Sequence, residues 1–329
     1  MKKKFSFPHA VRRWWLWPMS VVLWFSVSAA HAQVREIVLD YATYNPVGLI
    51  LKEQGFLEEE LAEDGINVRW VQSLGSNKAL EFLNAGSLDF GSTYAAASLI
   101  GFVNGNPIRV VYTYTRPDGV ALVRGANSDI ESVEDLAGKR VAVTRGTDPH
   151  IFLIRALAKH GLTEQDINSV LLQHPDGRTA LARGDVDAWA ALDPLTAAAE
   201  LENGAVPFYK DPELSTWGFL NVREEFAQEH PELVIRVLAA YERAREYALE
   251  NPQEVVDVLV SVARLPEEII ERQLTREDFT NSEVGDVQRQ FVLEAGQALQ
   301  NVGVIDASVN IDETVGALLD PSFLLAVDE

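Results

Sequence analysis

From Arg35 onward, short apolar runs alternate with longer stretches in which apolar residues recur every three to four positions. The first pattern suits a strand buried on both faces, the second an amphipathic helix. Residues 36–41 read as a strand. Residues 46–61 read as a helix, with Leu49, Ile50, Phe56 and Leu57 on one face. A strand at 66–71, a helix at 77–84 stopped by Gly86 and a brief strand at 88–91 follow. A small-residue helix at 94–103 ends at Asn104-Gly105, before a strand at 108–114. The cycle then restarts. Strands are expected at 120–123, 140–143, 170–172 and 188–191, with a helical turn at 133–136 and helices at 149–160, 177–183 and 194–203. After a strand at 217–221 the pattern turns helical. A long helix covers 232–250, Pro252 and Pro266 open two more, and the tail from Asp286 is mostly helical.

Alternation of this kind predicts an α/β protein with parallel sheets covered on both faces. Two successive α/β units without a low-complexity linker predict two lobes joined by strands crossing a hinge, with a cleft between them. The expected boundaries are 34–115 plus 220–329 for lobe one and 116–219 for lobe two. The crossings fall near Thr115–Arg116 and Phe219–Leu220.

The first 32 residues stand apart. Lys2, Lys3, Lys4, Arg12 and Arg13 precede a mostly apolar run from Trp14 to Val27, which ends at Ala30-His31-Ala32. A basic start, a short apolar stretch and a small-residue site are the marks of a cleaved signal peptide. Pro18 interrupts the run, which is shorter than the roughly 20 residues of a spanning helix. The 329-residue chain has no cysteine. That excludes disulfides, thiolate metal sites, cysteine nucleophiles and a lipid-modified cysteine at the signal junction. An unanchored secreted protein is retained only behind a second membrane, so the expected location is a Gram-negative periplasm. The formal net charge is −21. It is more negative without the signal, which holds five basic residues and no acidic one. Such a surface repels nucleic acid and anionic membranes.

Four strand-to-helix junctions carry candidate ligand chemistry, since ligands of open α/β sheets sit beyond the carboxyl ends of strands. In the first, Tyr44 offers a hydroxyl or ring and Asn45 a helix cap. In the second, Gly75 permits close backbone approach, Ser76 is a natural N-cap and Asn77 follows. The third places Thr93 and Tyr94 at a helix start. The fourth runs Gly146-Thr147-Asp148-Pro149-His150. Helix N-termini converging on a cleft suit an oxyanion, because each presents unpaired N–H groups. Ser, Thr and Asn also cap ordinary helices, so each junction alone has a plain structural reading. Asp148 and Asp193 read as caps, since a bare carboxylate repels an anion. Arg116, at the expected hinge, can clasp an anion or form a salt bridge. Trp217 can wall a pocket, and so can Trp189, though it lies in a short buried strand. His174, in an apparent loop, reads as exposed.

Residues 51–61 (LKEQGFLEEEL), 68–93 (VRWVQSLGSNKALEFLNAGSLDFGST), 132–157 (SVEDLAGKRVAVTRGTDPHIFLIRAL) and 183–200 (RGDVDAWAALDPLTAAAE) resemble the periplasmic alkanesulfonate-binding proteins of the nitrate/sulfonate/taurine importer group. The resemblance runs through most of the chain after the signal. The turns at Gly75-Ser76 and Gly146-Thr147 to His150, and the stretch from Trp189 to Asp193-Pro194, match the family's pattern. This resemblance implies a type II periplasmic-binding fold, hinge closure on a small organic anion, and delivery to a membrane permease with a cytoplasmic ATPase. It departs from the family at Tyr94-Ala95-Ala96 and after Tyr112, where Arg116 enters. Taurine-like sulfonates, sulfate esters and other organic anions therefore stay open as ligands.

No G-x-S-x-G, H-E-x-x-H or Walker-type loop occurs, and no cofactor, metal or enzymatic activity is expected. One enzymatic alternative comes from proteins of the same broad fold that bind or make thiamine pyrimidine precursors, some consuming bound pyridoxal phosphate. It would need a lysine, and Lys78 is the one near a candidate segment. A ligand-sensing subunit is a third reading. The expected mechanism is ligand-driven closure of a monomer, with Ser76 and Thr147 among the donors.

Overall fold

The computed structural model describes Met1, residues 34–214 and residues 216–327. The expected signal peptide lies, but for Met1, outside the described residues. The elements in chain order are β1 (Glu36–Tyr41), α1 (Pro46–Gln54), α2 (Phe56–Leu61), β2 (Asn67–Gln72), α3 (Ser76–Asn84), β3 (Phe90–Tyr94), α4 (Ala95–Val103), β4 (Ile108–Thr115), β5 (Ala121–Arg124) and β6 (Arg140–Val143). There follow α5 (Asp148–Lys159), β7 (Asn168–Leu171), α6 (His174–Arg183), β8 (Ala188–Ala191), α7 (Leu195–Asn203), β9 (Val206–Tyr209) and β10 (Gly218–Arg223). The remaining helices are α8 (Glu224–Glu229), α9 (Pro231–Glu250), α10 (Pro252–Ala263), α11 (Glu267–Leu274), α12 (Asp286–Asn301), α13 (Ile311–Leu318) and α14 (Ser322–Leu325).

These strands form two five-stranded sheets, one per lobe. The first has the order β2-β1-β3-β10-β4 and the second β7-β6-β8-β5-β9. Neither is wholly parallel, contrary to the sequence expectation. In the first sheet β10 runs antiparallel to both β3 and β4, and in the second β5 runs antiparallel to β8 and β9. The reversal follows from connectivity. The chain leaves the first sheet at the carboxyl end of β4 and re-enters it at the same side as β10, so β10 must run back. By the same argument β5, entering the second sheet from the cleft side, opposes its neighbours.

Local chemistry explains where elements start and stop. The helix expected over 46–61 is two helices, because Gly55 adopts the left-handed conformation (φ 69°) and its N–H closes α1 onto Leu51 and Lys52. Only glycine takes that backbone without a steric penalty. Helix α6 begins three residues before the expected 177. Strand β9 was not anticipated, since Val-Pro-Phe-Tyr lacks alternation and contains proline, which suits an edge strand.

One buried cluster joins Leu99, Val292, Leu299 and Val315 of the first lobe with Trp217, the residue just before β10, and takes in Ile151 of α5. The second lobe has its own core around Trp189, Ala142, Leu181 and Ala199. Ala197 and Ala198 of α7 pack against Ile269 of α11. The lobes therefore meet through apolar contacts on two flanks, α5 against α4 and α12, and α7 against α11.

Candidate functional site

The carboxyl ends of β1, β2 and β3 face those of β6, β7 and β8 across a cleft, and the helices after them begin at its walls. A pocket of about 170 Å³ lies there. Its lining mixes polar side chains, among them Tyr44, Ser73, His174 and Asp193, with apolar ones such as Leu192, Pro194, Val262 and Leu265. Strand ends from both lobes and the end of α10 thus enclose one space.

The first-lobe wall rests on a buried carboxylate. Asp40, near the end of β1, accepts from the Ser73 hydroxyl and from the Ser92 N–H and hydroxyl. Burial pushes its pKa up to about 6, against the pull of those three donors. The Tyr44 hydroxyl donates to the Ser92 carbonyl at 3.2 Å and touches the Ser73 hydroxyl at 3.3 Å. Asn45 caps α1 by accepting from the Gly48 N–H at 2.8 Å and donates to the Ser92 hydroxyl. Ser73 and Ser92 are therefore turned inward to hold Asp40. The Tyr94 ring packs on Tyr44, with centroids 5.5 Å apart.

Two polar bridges tie the lobes. Asp148, the first residue of α5, is buried and accepts from the Ala97 N–H at the start of α4 at 3.2 Å. Thr216 and the Ala96 N–H also favour its charged form, but burial dominates and lifts its pKa to about 6. On the other flank Arg276 donates to Asp193 at 3.1 Å and also pairs with Glu200. Arg276 belongs to the first lobe, and both carboxylates to the second. Burial raises the Asp193 pKa and the adjacent guanidinium opposes the rise. Beside them the Glu277 carboxyl accepts from the Thr115 hydroxyl at the end of β4. Burial and then the Asp193 charge push it up to about 8, so this acid is protonated at neutral pH.

The sequence-derived candidates separate into two groups. Tyr44, Asn45, Gly75, Ser76, Asn77, Thr93, Tyr94, Gly146, Thr147 and Asp193 sit at the strand ends and helix starts around the cleft. Several of their polar atoms are nonetheless committed to the protein. Ser76 does not cap α3, whose N-cap is Gly75; its hydroxyl accepts from the Tyr94 N–H at 3.1 Å. The Thr147 hydroxyl donates to the Thr144 carbonyl at 2.7 Å, and the Thr93 hydroxyl bonds Ser98. Asp193 caps α7 through the Ala197 N–H, as well as pairing with Arg276. Three further candidates have partners of their own. His150 is held by Glu164 at 3.0 Å and by the Gly146 N–H. Trp217 belongs to the core cluster with Leu99 and Val292. Arg116 stacks on the Trp217 ring at 5.2 Å. Lys78 pairs with Glu81 at 2.6 Å on the surface of α3. Asp148 caps not its own helix but the start of α4.

His174 is the residue that sequence reasoning misplaced. It is buried at the first position of α6 and lines the pocket. Both ring nitrogens are buried without a hydrogen-bond partner among the described residues. The misleading signal was Pro175, read as a loop mark. Proline in the first turn of a helix is equally at home, and that context would have placed His174 at a helix start.

Two α/β lobes, each a five-stranded sheet with one reversed strand, closing over a pocket at the strand ends, have the architecture of the periplasmic binding proteins. The chain belongs to the NMT1/THI5-like family, whose model matches residues 49–255. It is 27% identical over 293 residues to a protein of Bacillus subtilis named as an aliphatic sulfonates-binding protein, covering 88% of each chain. It is 32% identical over 201 residues to one of Escherichia coli with the same description, covering 60% of this chain and 62% of that one. Among solved structures, the alkanesulfonate-binding protein of Xanthomonas axonopodis pv. citri, bound to MOPS, superposes with a TM-score of 0.80. The identity there is 24%, with 88% of this chain and 99% of that chain covered.

Proposed function

We propose that this protein is the periplasmic solute-binding component of an ABC importer. It captures a small organic anion, an alkanesulfonate or a sulfate ester, and delivers it to a membrane permease driven by a cytoplasmic ATPase. It acts as a monomer and catalyses no reaction. The observation that carries the reading is the mixed lining of the cleft pocket, with polar groups from both lobes beside aliphatic side chains. A ligand with an oxyanion head and a compact apolar tail matches that mixed lining, and the names of the relatives point to the same chemistry.

The electrostatics favour a single negative charge. Asp40, Asp148 and Asp193 already stand close to the cleft; Arg276 pairs with Asp193, and the half-buried Arg155 acts on Asp148. The head is then held by helix-start N–H groups and neutral donors rather than by a cluster of cations. Protonation of Glu277 at neutral pH removes one repulsive charge from the hinge side. Contacts from both lobes to one ligand stabilise the closed arrangement.

Calorimetric titration with a series of linear alkanesulfonates tests the proposal. Each added methylene buried against the apolar side chains contributes about 0.8 kcal/mol, or roughly fourfold in Kd, until the pocket is full. Inorganic sulfate and nitrate lack the tail and bind more weakly, and the taurine ammonium meets an unfavourable apolar wall. A response confined to a thiamine pyrimidine would overturn the assignment.

A further inference from the structure

The seam between the first turns of α3 and α6 holds buried polar atoms with no hydrogen-bond partner among the described residues: both ring nitrogens of His174 and the Oδ1 of Asn77, with the Oε1 of Gln173, at the start of α6, unpaired as well. Such orphans are rare in native interiors and costly when nothing meets them. Gly75 keeps the seam open. A Cβ there would stand 2.9 Å from Asn77 Oδ1 and 3.5 Å from His174 Nε2. The two side chains come from opposite lobes, so they approach each other only when the cleft is closed.

We propose that His174 is a recognition residue of lobe two for the ligand's anionic head, facing Asn77 of lobe one. This rests on the organic-anion reading above and names a residue that carries it. Burial alone pushes the His174 pKa down to about 3, so the imidazole is neutral and has one N–H to donate. The Asn77 amide, turned about its last torsion, presents its NH2 to the same space. A sulfonate or sulfate head supplies acceptors for both donors. A neutral donor suits this place, because it adds no charge that an alkyl-bearing monoanion would need to match.

The experiment is calorimetric titration of the wild-type protein and of His174→Ala and His174→Asn with alkanesulfonates of increasing length. Thermal melts run beside it, along with ¹⁵N spectra of ring-labelled histidine. The expected loss in His174→Ala is about ten- to hundredfold in Kd, the scale of a hydrogen bond to a charged partner. The loss should be the same at every chain length, because the tail contacts are untouched, and His174→Asn should restore part of it. The His174 ring signals of the wild-type protein should shift on saturation, a readout that survives even if the alanine variant folds poorly. Wild-type affinity in His174→Ala, or ring signals unmoved by saturating ligand, would overturn this inference and leave the organic-anion reading standing. No binding of any organic anion by the wild-type protein would overturn both.

Discussion

Asp148 places a carboxylate where a helix start favours negative charge, but the helix belongs to the opposite lobe. Asp40 is the matching case inside the first lobe, wrapped by Ser73 and Ser92. Both have pKa values raised to about 6 from an ordinary 3.8. Between about pH 4 and pH 6 the folded protein therefore holds protons that the unfolded chain has released. Stability falls as pH rises through that window, by about 3 kcal/mol per group at most. Asp193 and Glu277 act in the same direction, while His174, held neutral down to about pH 3, opposes them; the carboxyl groups together outweigh it, so the melting temperature should be higher at pH 5 than at pH 7. Asp148→Asn should flatten part of that slope, because an amide has no proton to exchange there. An unchanged slope in the variant would assign the pH dependence to other groups. The roles of these two residues were not legible in the sequence. A carboxylate at a helix start reads as a local cap, and nothing in a one-dimensional pattern shows that its partner lies 51 residues away. The same limit hid Arg276, whose partners Asp193 and Glu200 come from the other lobe.

At the scale of elements, the hydrophobic pattern located most strands and helices because each buries a periodic face against a sheet. It misjudged direction and breaks. The reversal of β5 and β10 depends on where the chain crosses between sheets, which periodicity does not encode. Position 55 was a break that the apolar spacing concealed, since Leu49, Ile50, Phe56 and Leu57 fit one continuous helix. Gly55→Ala forces a side chain into the left-handed region and should cost about 1 kcal/mol, read as a lower midpoint in denaturant. A change no larger than that of an exposed alanine substitution elsewhere would show that α1 and α2 tolerate a different join. Gly218 is under a stronger constraint. A Cβ there would lie 2.3 Å from the Tyr114 ring and 2.8 Å from the Thr115 side chain. Gly218→Ala should therefore destabilise by about 1–3 kcal/mol, the range for overpacking.

Across the whole molecule, closure is held by the Arg276 pairs on one flank and Asp148 on the other. Arg276→Met removes the guanidinium but keeps the bulk, and leaves Asp193 buried without its partner, a loss of about 3–5 kcal/mol where the site cannot relax. The lobes can relieve that by separating. The variant should then show a larger radius of gyration in solution scattering and weaker ligand binding. A compact variant with normal affinity would mean that the apolar flanks suffice. The strong negative charge acts on the same scale. Self-repulsion is screened by salt, so the melting temperature should rise from low salt to physiological ionic strength. The path of the chain has a different consequence. Thr115 and Gly218 are cross-strand partners at the ends of antiparallel neighbours β4 and β10, so everything between them occupies the place of a hairpin turn. Lobe two is in this sense a very long loop whose two ends already touch. Insertions whose ends lie together are the kind that can be exchanged without disturbing their host. One wall of the cleft is thus an insertion whose exchange would keep the β4–β10 register, provided the replacement supplies partners for Arg276 and for the start of α4.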